Sequence, residues 1–394
     1  MRKFDRVMVL GDAIRGKNGA DYNTPWLFAL IQYYVGYVFK IPVSQVYGEK
    51  AKSFQQEFTK AYGGKKNWFE VYSEKFNGHI LKLVENTFKD SLVIAFELHP
   101  VLRGAFDHIG IPYIEIINHP IRFLDDLVLG FRSNIPSVND QLLRYEVKES
   151  IFYRKAALLK AEYAVKKFKS NSNILANSAV FFAQTNIDLS LLEGNVVHSL
   201  YDYMDQFIDL TKTYDHVYYK IHPMGRNQQL IDVIKKIKNV IVPKPGVLDT
   251  YGLFSHPNIK ECVAISSGTL YEARYFGKKT KYFYKPPFNF STDRSLSLTE
   301  NVLFVPIYQS FLREEFWIDI LQGIMESSVD KNEFINNDIY ENTMRCILKL
   351  SWGYNDNKSV VVEKFMQAYN QQPTKKIEKH PTAAERLMRF LRGR

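Results

Sequence analysis

The residues best suited to chemistry follow short apolar runs in the second half of the chain. The β-rich run 217–221, which contains Lys220, is followed by His222 and Pro223. Ligands of open α/β sheets bind beyond the carboxyl ends of the strands, and an imidazole there can donate a hydrogen bond to a phosphate oxygen. Lys220 and His222 are therefore candidates for binding a phosphate. The alternative is a histidine that only satisfies backbone groups at a turn.

A second group of small polar residues comes about 44 residues later, between an apolar run and a predicted helix. It consists of Ser266, Ser267, Gly268 and Thr269. The free N–H groups of a helix start bind anions, and small side chains let a phosphate approach closely. Glu272, in the first turn of that helix, would suit the diol of a ribose. Thr269 and Glu272 also have the spacing of a capping box, so a purely structural helix start is the alternative.

Together the two groups indicate a nucleotide site. Both follow strands of one predicted α/β half, so adjacent strands could direct them to the same phosphate. The sequence contains no Walker motif and no G-x-G-x-x-G motif before a helix, which argues against a P-loop NTPase or a Rossmann dehydrogenase. A nucleotide bound through a single phosphate fits the pattern better.

A candidate carboxylate follows the predicted strand 179–183. The polar residues after this strand are Gln184, Thr185, Asn186 and Asp188. A carboxylate beyond a strand end can act as a nucleophile or stabilise a cationic sugar transition state. Gln184 and Asn186 would contact the substrate beside it. The alternative is that Asp188 caps a turn.

Another carboxylate, Glu115, lies within the apolar strand 112–117. A buried charge is costly unless it is paired or functional, and His119 and Arg122 are the nearest candidate partners. Glu115 could supply acid or base help, with His119 and Arg122 contacting the substrate. A structural ion pair between Glu115 and Arg122 is the alternative. After the first predicted strand, Asp12 and Arg15 are expected to face the same cleft.

The elements that must position these residues alternate between short apolar runs and longer helical patterns, which predicts βα units and largely parallel sheets. The first set has strands at 6–10, 92–96 and 112–117, with helices at 26–39 and 76–88. A long helical segment over about 141–168 and the polar run 169–173 separate it from a second set. We expect four segments: an α/β domain over 1–173, a second over 174–349, a terminal helix within 350–372 and a basic tail over 373–394.

Composition limits the class of protein. The chain has 394 residues with 52 Lys and Arg against 42 Asp and Glu, a balance of +10 that favours anionic partners. Two cysteines are too few for a disulfide framework or a multi-cysteine metal site. The chain contains no apolar run of the ~20 residues that cross a bilayer, and its apolar start is too short for a signal peptide. We expect a soluble or peripheral protein.

The tail is more basic than the rest of the chain. Residues 372–394 hold seven Lys or Arg and two acids, a balance of +5. Ala384, Leu387, Met388 and Leu391 recur at helical spacing opposite arginines. Such a basic amphipathic helix can dock on an anionic membrane, although a solvated chain end is the alternative.

The segments QTNIDLS, KIHPMGRN and SSGTLYEARYFGKK resemble bacterial transferases that use CMP-activated ulosonic acids and carry an HP and a Ser-Ser motif. Together with IEIINHPIRFLDDL, they most resemble the retaining β-Kdo transferases of lipopolysaccharide and capsule assembly. Kdo is 3-deoxy-D-manno-octulosonic acid. The resemblance covers about residues 6–284, and only the combination of its short motifs is specific.

The resemblance implies an α/β fold of the GT-B type, in which two Rossmann-like domains face a central cleft. It implies that His222, Ser266 and Ser267 hold the CMP phosphate, with Gly268 beside them and Glu272 near the ribose. It assigns Asp188 as the nucleophile and Glu115 as the carboxylate of the N-terminal half. The product would be β-linked Kdo on a lipid-linked glycan, formed without a metal or other cofactor at the cytoplasmic face of the inner membrane.

Three alternatives remain open from the sequence. The first is an inverting transferase for sialic, pseudaminic or legionaminic acid, in which Asp12 would act as the base. The second is a basic nucleic-acid-binding protein, which the concentration of charge in the tail and the lack of an aromatic-basic motif disfavour. The third is a non-catalytic protein that retains a transferase fold and binds CMP without turnover.

Overall fold

The computed structural model describes residues 4–11, 14, 23–64, 70–165, 174–185, 188–194, 196–223, 227–292, 303–329 and 342–352, and the side chains within them up to residue 348. Two α/β units make up this part of the chain. Each has its own sheet, and we name them the first and the second unit in chain order.

The strands of the first sheet are β1 (Arg6–Leu10), β2 (Val43–Gln45), β3 (Ser91–Phe96), β4 (Tyr113–Asn118), β5 (Leu129–Ser133) and β13 (Val305–Ile307). Their order is β13-β5-β4-β3-β1-β2. The pairs among β2, β1, β3 and β4 are parallel, whereas β5 pairs antiparallel with both β4 and β13. β3 is buried along its whole length, as expected for a strand covered on both faces.

The second sheet consists of β6 (Ser178–Phe182), β9 (His216–Lys220), β10 (Val240–Ile241), β11 (Ile259–Ala264) and β12 (Lys279–Tyr282). Its order is β10-β9-β6-β11-β12, and all its pairs are parallel. This is the 3-2-1-4-5 order of a Rossmann-like sheet, in which the order reverses beside the first strand. A short hairpin of β7 (Leu192–Glu193) and β8 (Val196–Val197) follows β6.

The helices in the described ranges connect these strands. They are α1 (Asn23–Phe39), α2 (Glu49–Ala61), α3 (Gly78–Phe88), α4 (Pro100–Ile109), α5 (Pro136–Arg144), α6 (Glu149–Val165), α7 (Met204–Thr213), α8 (Gln228–Ile234), α9 (Thr250–Ser255), α10 (Thr269–Tyr275), α11 (Glu314–Ile320) and α12 (Thr343–Trp352). Short 3-10 helices lie at Leu189–Leu191, Leu200–Tyr203 and Ser310–Leu312. None of the helices in these ranges is long and apolar enough to cross a membrane.

The structure confirms the α/β class and the strands predicted from apolar runs, and it corrects the helix predicted over 141–168. That segment is interrupted between α5 and α6. The break arises because the backbone there pairs with β13. Val147 N–H donates to the carbonyl of Pro306 at 2.9 Å, and Glu146 forms a bridge with Ile307.

The predicted limit of the second domain at residue 349 is wrong. β13 joins the first sheet, and Phe316 and Trp317 of α11 are fully buried in the core of the first unit. This return of the chain covers the edge that β5 would otherwise expose. Asp126, itself fully buried, accepts N–H groups of Met344 and Arg345 at 3.0 and 3.1 Å and so ties α12 to the first unit. The polar run 169–173, the predicted helix near 359–369 and the basic tail lie outside the described residues.

The two units are joined by a continuous apolar contact. Ile121 and Phe123, which follow β4, belong to the same buried cluster as Tyr251 and Phe276 of the second unit. The Phe123 and Phe276 rings meet edge to face at 5.5 Å between centroids. Gly268 lies against Pro120 so closely that an added Cβ would be 3.0 Å from the proline Cβ. These contacts hold the strand ends of both sheets around one cleft.

Candidate functional site

A cavity of about 470 Å³ opens between the units. Its walls come from the carboxyl ends of strands in both sheets, as a Rossmann-like pair predicts for a ligand site. Polar side chains of the first unit that line it are Tyr72, Glu97, His99, Arg103, Glu115 and Arg132. The second unit contributes Ser190, Lys285 and Asn289, and Phe288 and Phe304 add aromatic surface. Two Rossmann-like units facing a common cleft is the GT-B arrangement expected from the sequence.

Glu115 is buried at the floor of this cavity, with 2% of its surface exposed. Antiparallel pairing of β4 with β5 places it directly opposite Arg132, whose Nη2 is 2.6 Å from Oε2. Arg103 of α4 binds the other oxygen, with Nη2 2.9 Å from Oε1. The ion pair with Arg122 that the sequence suggested is absent from the contacts of Glu115, because Arg122 donates instead to the carbonyl of His119.

This cluster limits what Glu115 can do. Nε of Arg103 and Nε of Arg132 also donate to Oε2, at 3.2 and 2.8 Å. A carboxylate engaged by four guanidinium contacts has little accepting capacity left for a substrate proton. The arrangement suits Glu115 to hold two arginines at the cavity wall.

Gln184 connects the ends of two strands of the second sheet, β6 and β11. Its amide donates to Ser190 Oγ at 2.9 Å and to Asp188 Oδ2 at 3.3 Å. Its carbonyl accepts the N–H of Ser266 at 2.8 Å. Since Gln184 follows β6 and Ser266 follows β11, the bond spans the point where the strand order reverses. This is the crevice in which open α/β sheets bind ligands.

Asp188 caps the 3-10 helix that leads from this crevice to the cavity. Its Oδ1 accepts Ser190 N–H at 3.0 Å and Ser190 Oγ–H at 2.8 Å. Leu189 and Ser190 line the cavity, so the carboxylate lies beside it. The turn-capping role that the sequence left open is present, and Oδ2 accepts the Gln184 amide at 3.3 Å.

His222 follows β9, next to β6, and lies close enough to Asp188 for the two side chains to interact electrostatically. Burial lowers the pKa of His222, while the charge of Asp188 opposes this effect. A neutral imidazole can still donate one N–H to a phosphate oxygen. Lys220 is the last residue of β9, and its carbonyl accepts the N–H of Ala183 at 3.0 Å. Both residues therefore stand at the same sheet edge as Gln184.

The two serines of the Ser-Ser motif differ in their contacts. Ser266 is fully buried, donates its N–H to Gln184 and its hydroxyl to the carbonyl of Lys285 at 2.7 Å. In this structure it has no donor left for a phosphate. Ser267 is partly exposed; its Oγ lies 3.0 Å from Thr269 Oγ1 and accepts Thr269 N–H at 3.3 Å. Ser267 is the better placed of the two to contact a ligand.

Glu272 is buried in the contact between the units. Its Oε1 accepts Arg122 N–H at 2.7 Å and the hydroxyl of Tyr251 at 2.9 Å. The N-cap position of α10 is Gly268 and receives no side-chain cap bond, so the capping box with Thr269 is not formed. Burial raises the pKa of Glu272 to about 7, although the N–H of Arg122 and the hydroxyl of Tyr251 oppose the shift.

The raised pKa of Glu272 predicts a loss of stability with rising pH. The folded state favours the protonated carboxyl, so this contribution is complete below the ordinary pKa of 4.5 and is lost as the pH rises through about 7. A shift of this size corresponds to at most about 3 kcal/mol. When the pH is raised from about 5 to 8.5, the melting temperature of Glu272→Gln should fall less than that of wild type. If the melting temperatures of the two proteins change with pH to the same extent, the prediction is wrong.

His119 and Arg122 belong to the interface of the units. His119 is fully buried among the rings of Phe152, Tyr271 and Phe290, and its Nδ1 accepts Ile121 N–H at 3.2 Å. Burial lowers the pKa of His119 well below its ordinary value. The guanidinium of Arg122 donates to the His119 carbonyl. Neither residue lines the cavity described above.

The predicted residues Asn186, Asp12 and Arg15 lie outside the described residues. Sequence reasoning missed Arg103, Arg132 and Lys285, although each had a local signal. Arg103 comes shortly after the strand ending at Phe96, and Lys285 comes shortly after the strand ending at Tyr282. Arg132 interrupts an apolar strand just as Glu115 does. Within the described ranges, no group of three or more His, Cys, Asp or Glu is placed to hold a metal ion.

No protein-family model matches this chain, and no curated protein does. Among solved structures, it is similar to Thermosulfurimonas dismutans KpsC, β-Kdo 2,7 transferase, with 10% identity and a TM-score of 0.37 over 72% of this chain and 80% of that chain. It is also similar to KpsC, β-Kdo 2,4 transferase, from the same organism, with 13% identity and a TM-score of 0.36 over 74% of this chain and 84% of that chain. A third similar structure is Methanocaldococcus jannaschii UDP-GlcNAc 2-epimerase in complex with UDP-GlcNAc and UDP, with 14% identity and a TM-score of 0.27 over 70% of this chain and 82% of that chain. The strand orders of the two sheets and the cleft between the units define the fold.

Proposed function

We propose that this protein is a glycosyltransferase that moves Kdo, or a related ulosonic acid, from its CMP-activated form to a glycan with retention of configuration. The observation that carries the proposal is the cavity between two Rossmann-like units, with Asp188 beside it and His222 close to Asp188. A nucleophile, a phosphate-binding group and space for a sugar then meet at one sheet edge.

In this proposal the CMP moiety lies on the second unit, at the crevice between β6 and β11. His222 and Ser267 contact the phosphate, with Lys220 at the same edge. Gln184 and Ser266 hold the strand ends in place through their mutual hydrogen bond of 2.8 Å. The departing CMP carries an ionised phosphate, and the donor groups of these residues stabilise the charge that develops there. We propose that the reaction needs no metal.

We propose Asp188 as the nucleophile. An oxygen of its carboxylate forms a bond to the anomeric carbon, the bond from that carbon to the phosphate breaks, and CMP leaves with the electron pair. The acceptor hydroxyl then attacks the same carbon, its proton passes to a base, and the aspartate is released. Two inversions give net retention. Glu115 holds Arg103 and Arg132 at the opposite wall, where they provide positive charge.

The acceptor is proposed to lie against the first unit, where Tyr72 and Phe304 offer aromatic surface to a sugar, opposite Phe288 of the second unit. We further propose a lipid-linked glycan as acceptor and a peripheral position at the inner membrane. The basic tail over 373–394 would supply the attraction to anionic lipids.

A donor panel tests the proposal. The protein is incubated separately with CMP-Kdo, CMP-sialic acid and UDP-GlcNAc, and released nucleotide is measured without added acceptor. Release of CMP from CMP-Kdo above the spontaneous rate is the expected result. Preference for CMP-sialic acid would favour the inverting transferase, and turnover of UDP-GlcNAc alone would overturn the CMP-sugar assignment. CMP binding without turnover of any donor, also when glycan acceptors are added, would indicate a non-catalytic protein.

A further inference from the structure

Lys285 is held at the cavity wall by the second sheet. It follows β12, and the N–H groups of Phe283 and Tyr284 donate to the carbonyls of Ala264 and Ile265 at 2.9 and 3.0 Å. The hydroxyl of buried Ser266 donates to the Lys285 carbonyl at 2.7 Å. These bonds fix the backbone of Lys285 beside the crevice at which the nucleotide is proposed to bind. Its side chain lines the cavity.

The charge of Lys285 is available to a ligand. Glu193 interacts electrostatically with Lys285, but no carboxylate of the described residues lies within the 4.0 Å ion-pair distance of its ammonium group. The Nζ atom lies 4.6 Å from the centre of the Tyr284 ring. The two arginines of the cavity are already engaged, because both bind Glu115. Arg132 in addition stacks on Phe304, with 4.2 Å from its Cζ to the ring centre.

An acidic residue on the opposite wall of the cavity favours binding of a negative ligand group next to Lys285. Glu97 lines the wall formed by the first unit, where the charge of Glu115 is compensated by Arg103 and Arg132. Like charges repel, and this effect is strong where little water separates them. A sugar carboxylate in the cavity is therefore stabilised next to Lys285 rather than next to Glu97.

We propose that Lys285 binds the carboxylate of the transferred sugar and thereby selects ulosonic acids over neutral sugars. This inference rests on the proposed function. An ammonium group makes short, charge-assisted hydrogen bonds to a carboxylate. A site built to satisfy a polar group also discriminates strongly against ligands that lack it, because its own polar atom then loses its partner. His222 and Ser267 remain the residues for the nucleotide phosphate.

The test separates the sugar from the nucleotide. Dissociation constants for CMP and for freshly prepared CMP-Kdo are measured by calorimetry at low temperature, with wild type, Lys285→Gln and Lys285→Arg. The glutamine variant should bind CMP-Kdo more weakly by about 10- to 100-fold, the range for a hydrogen bond to a charged group. Its affinity for CMP, which lacks the sugar carboxylate, should be unchanged. The arginine variant should recover part of the loss.

Lys281→Gln is the matched control. Lys281 lies on β12, is exposed and does not line the cavity, so its replacement should leave both constants unchanged. Equal weakening of CMP and CMP-Kdo in Lys285→Gln would overturn the proposal, because Lys285 would then bind the phosphate. An unchanged affinity for CMP-Kdo would overturn it as well. If wild type itself binds neither ligand, the proposed function fails, and that result is distinct from an effect of Lys285.

Discussion

Asp188→Asn should abolish sugar transfer while leaving the fold intact. Asparagine is as good a cap as aspartate, and its carbonyl can still accept the Ser190 N–H that Asp188 now accepts at 3.0 Å. An amide cannot form the covalent bond to the anomeric carbon. We expect the rate of transfer to fall by at least about 1,000-fold, because loss of a nucleophile in covalent enzymes costs that much or more.

Intact-mass analysis measures the covalent step directly. Wild type incubated with CMP-Kdo should gain the mass of one sugar residue, and Asp188→Asn should not. Asp209→Asn is the matched control, because Asp209 is an exposed carboxylate on α7 paired with Lys212 at 2.8 Å. An active Asp188→Asn variant would show that Asp188 only caps the 3-10 helix. CMP release by wild type without an adduct would remove the support for a covalent intermediate.

Glu115→Gln should destabilise the first unit strongly. The substitution keeps the shape of the side chain but removes the charge that Arg103 and Arg132 share. Breaking a buried ion pair costs about 3 to 5 kcal/mol, because the remaining charge is left uncompensated. The free energy of unfolding, measured by denaturant titration, should fall by about that amount. CMP binding should change little where the variant is folded, since the proposed nucleotide site is on the second unit.

Glu261→Gln provides the matched control for this prediction. Glu261 is also a buried strand glutamate, 3% exposed. Its partner is Lys279, whose Nζ lies 3.2 Å from Oε1 of Glu261. The Lys279 side chain is 70% exposed, so its ammonium group can be fully hydrated when the pair is broken. We expect a loss of about 1 kcal/mol or less. If both variants are equally stable, the cluster around Glu115 does not hold the cavity wall as described.

The Arg132→Gln substitution in the Glu115→Gln background tests the cause of the loss. If uncompensated positive charge destabilises the single variant, the double variant should be more stable than the sum of the two single changes predicts. Residues in one network couple in this way, and the coupling is measured by a double-mutant cycle. Simple additivity would mean that packing, and not charge, accounts for the loss.

Several features of the fold could be predicted from the sequence because their signals are local. Apolar runs such as that of β3, bounded by turn residues, predict buried strands. Once the strands are parallel, their carboxyl ends meet at one edge. This placed Lys220, Gln184 and Ser266 at one edge without any knowledge of the fold.

The local sequence only weakly indicates that β13 belongs to the first sheet. β13 has three residues, one of them Pro306, and proline is unusual within a strand. Its pairing with β5 joins residues that are far apart in sequence. The order of the chain therefore predicts that the residues from 305 onward belong to the second domain. Their packing, however, places β13 and α11 in the first unit.

The sequence by itself determined the alternation of strands and helices and the residue types at the strand ends. Tertiary structure decided which of these residues meet. Arg122 is the arginine nearest to Glu115 along the chain, yet Arg132, 17 residues away, is its partner because the antiparallel register of β4 and β5 sets them opposite each other. Likewise, only packing directs Ser266 into the protein and Lys285 to the cavity. Strand formation depends on neighbouring residues, whereas register and burial depend on contacts between distant ones.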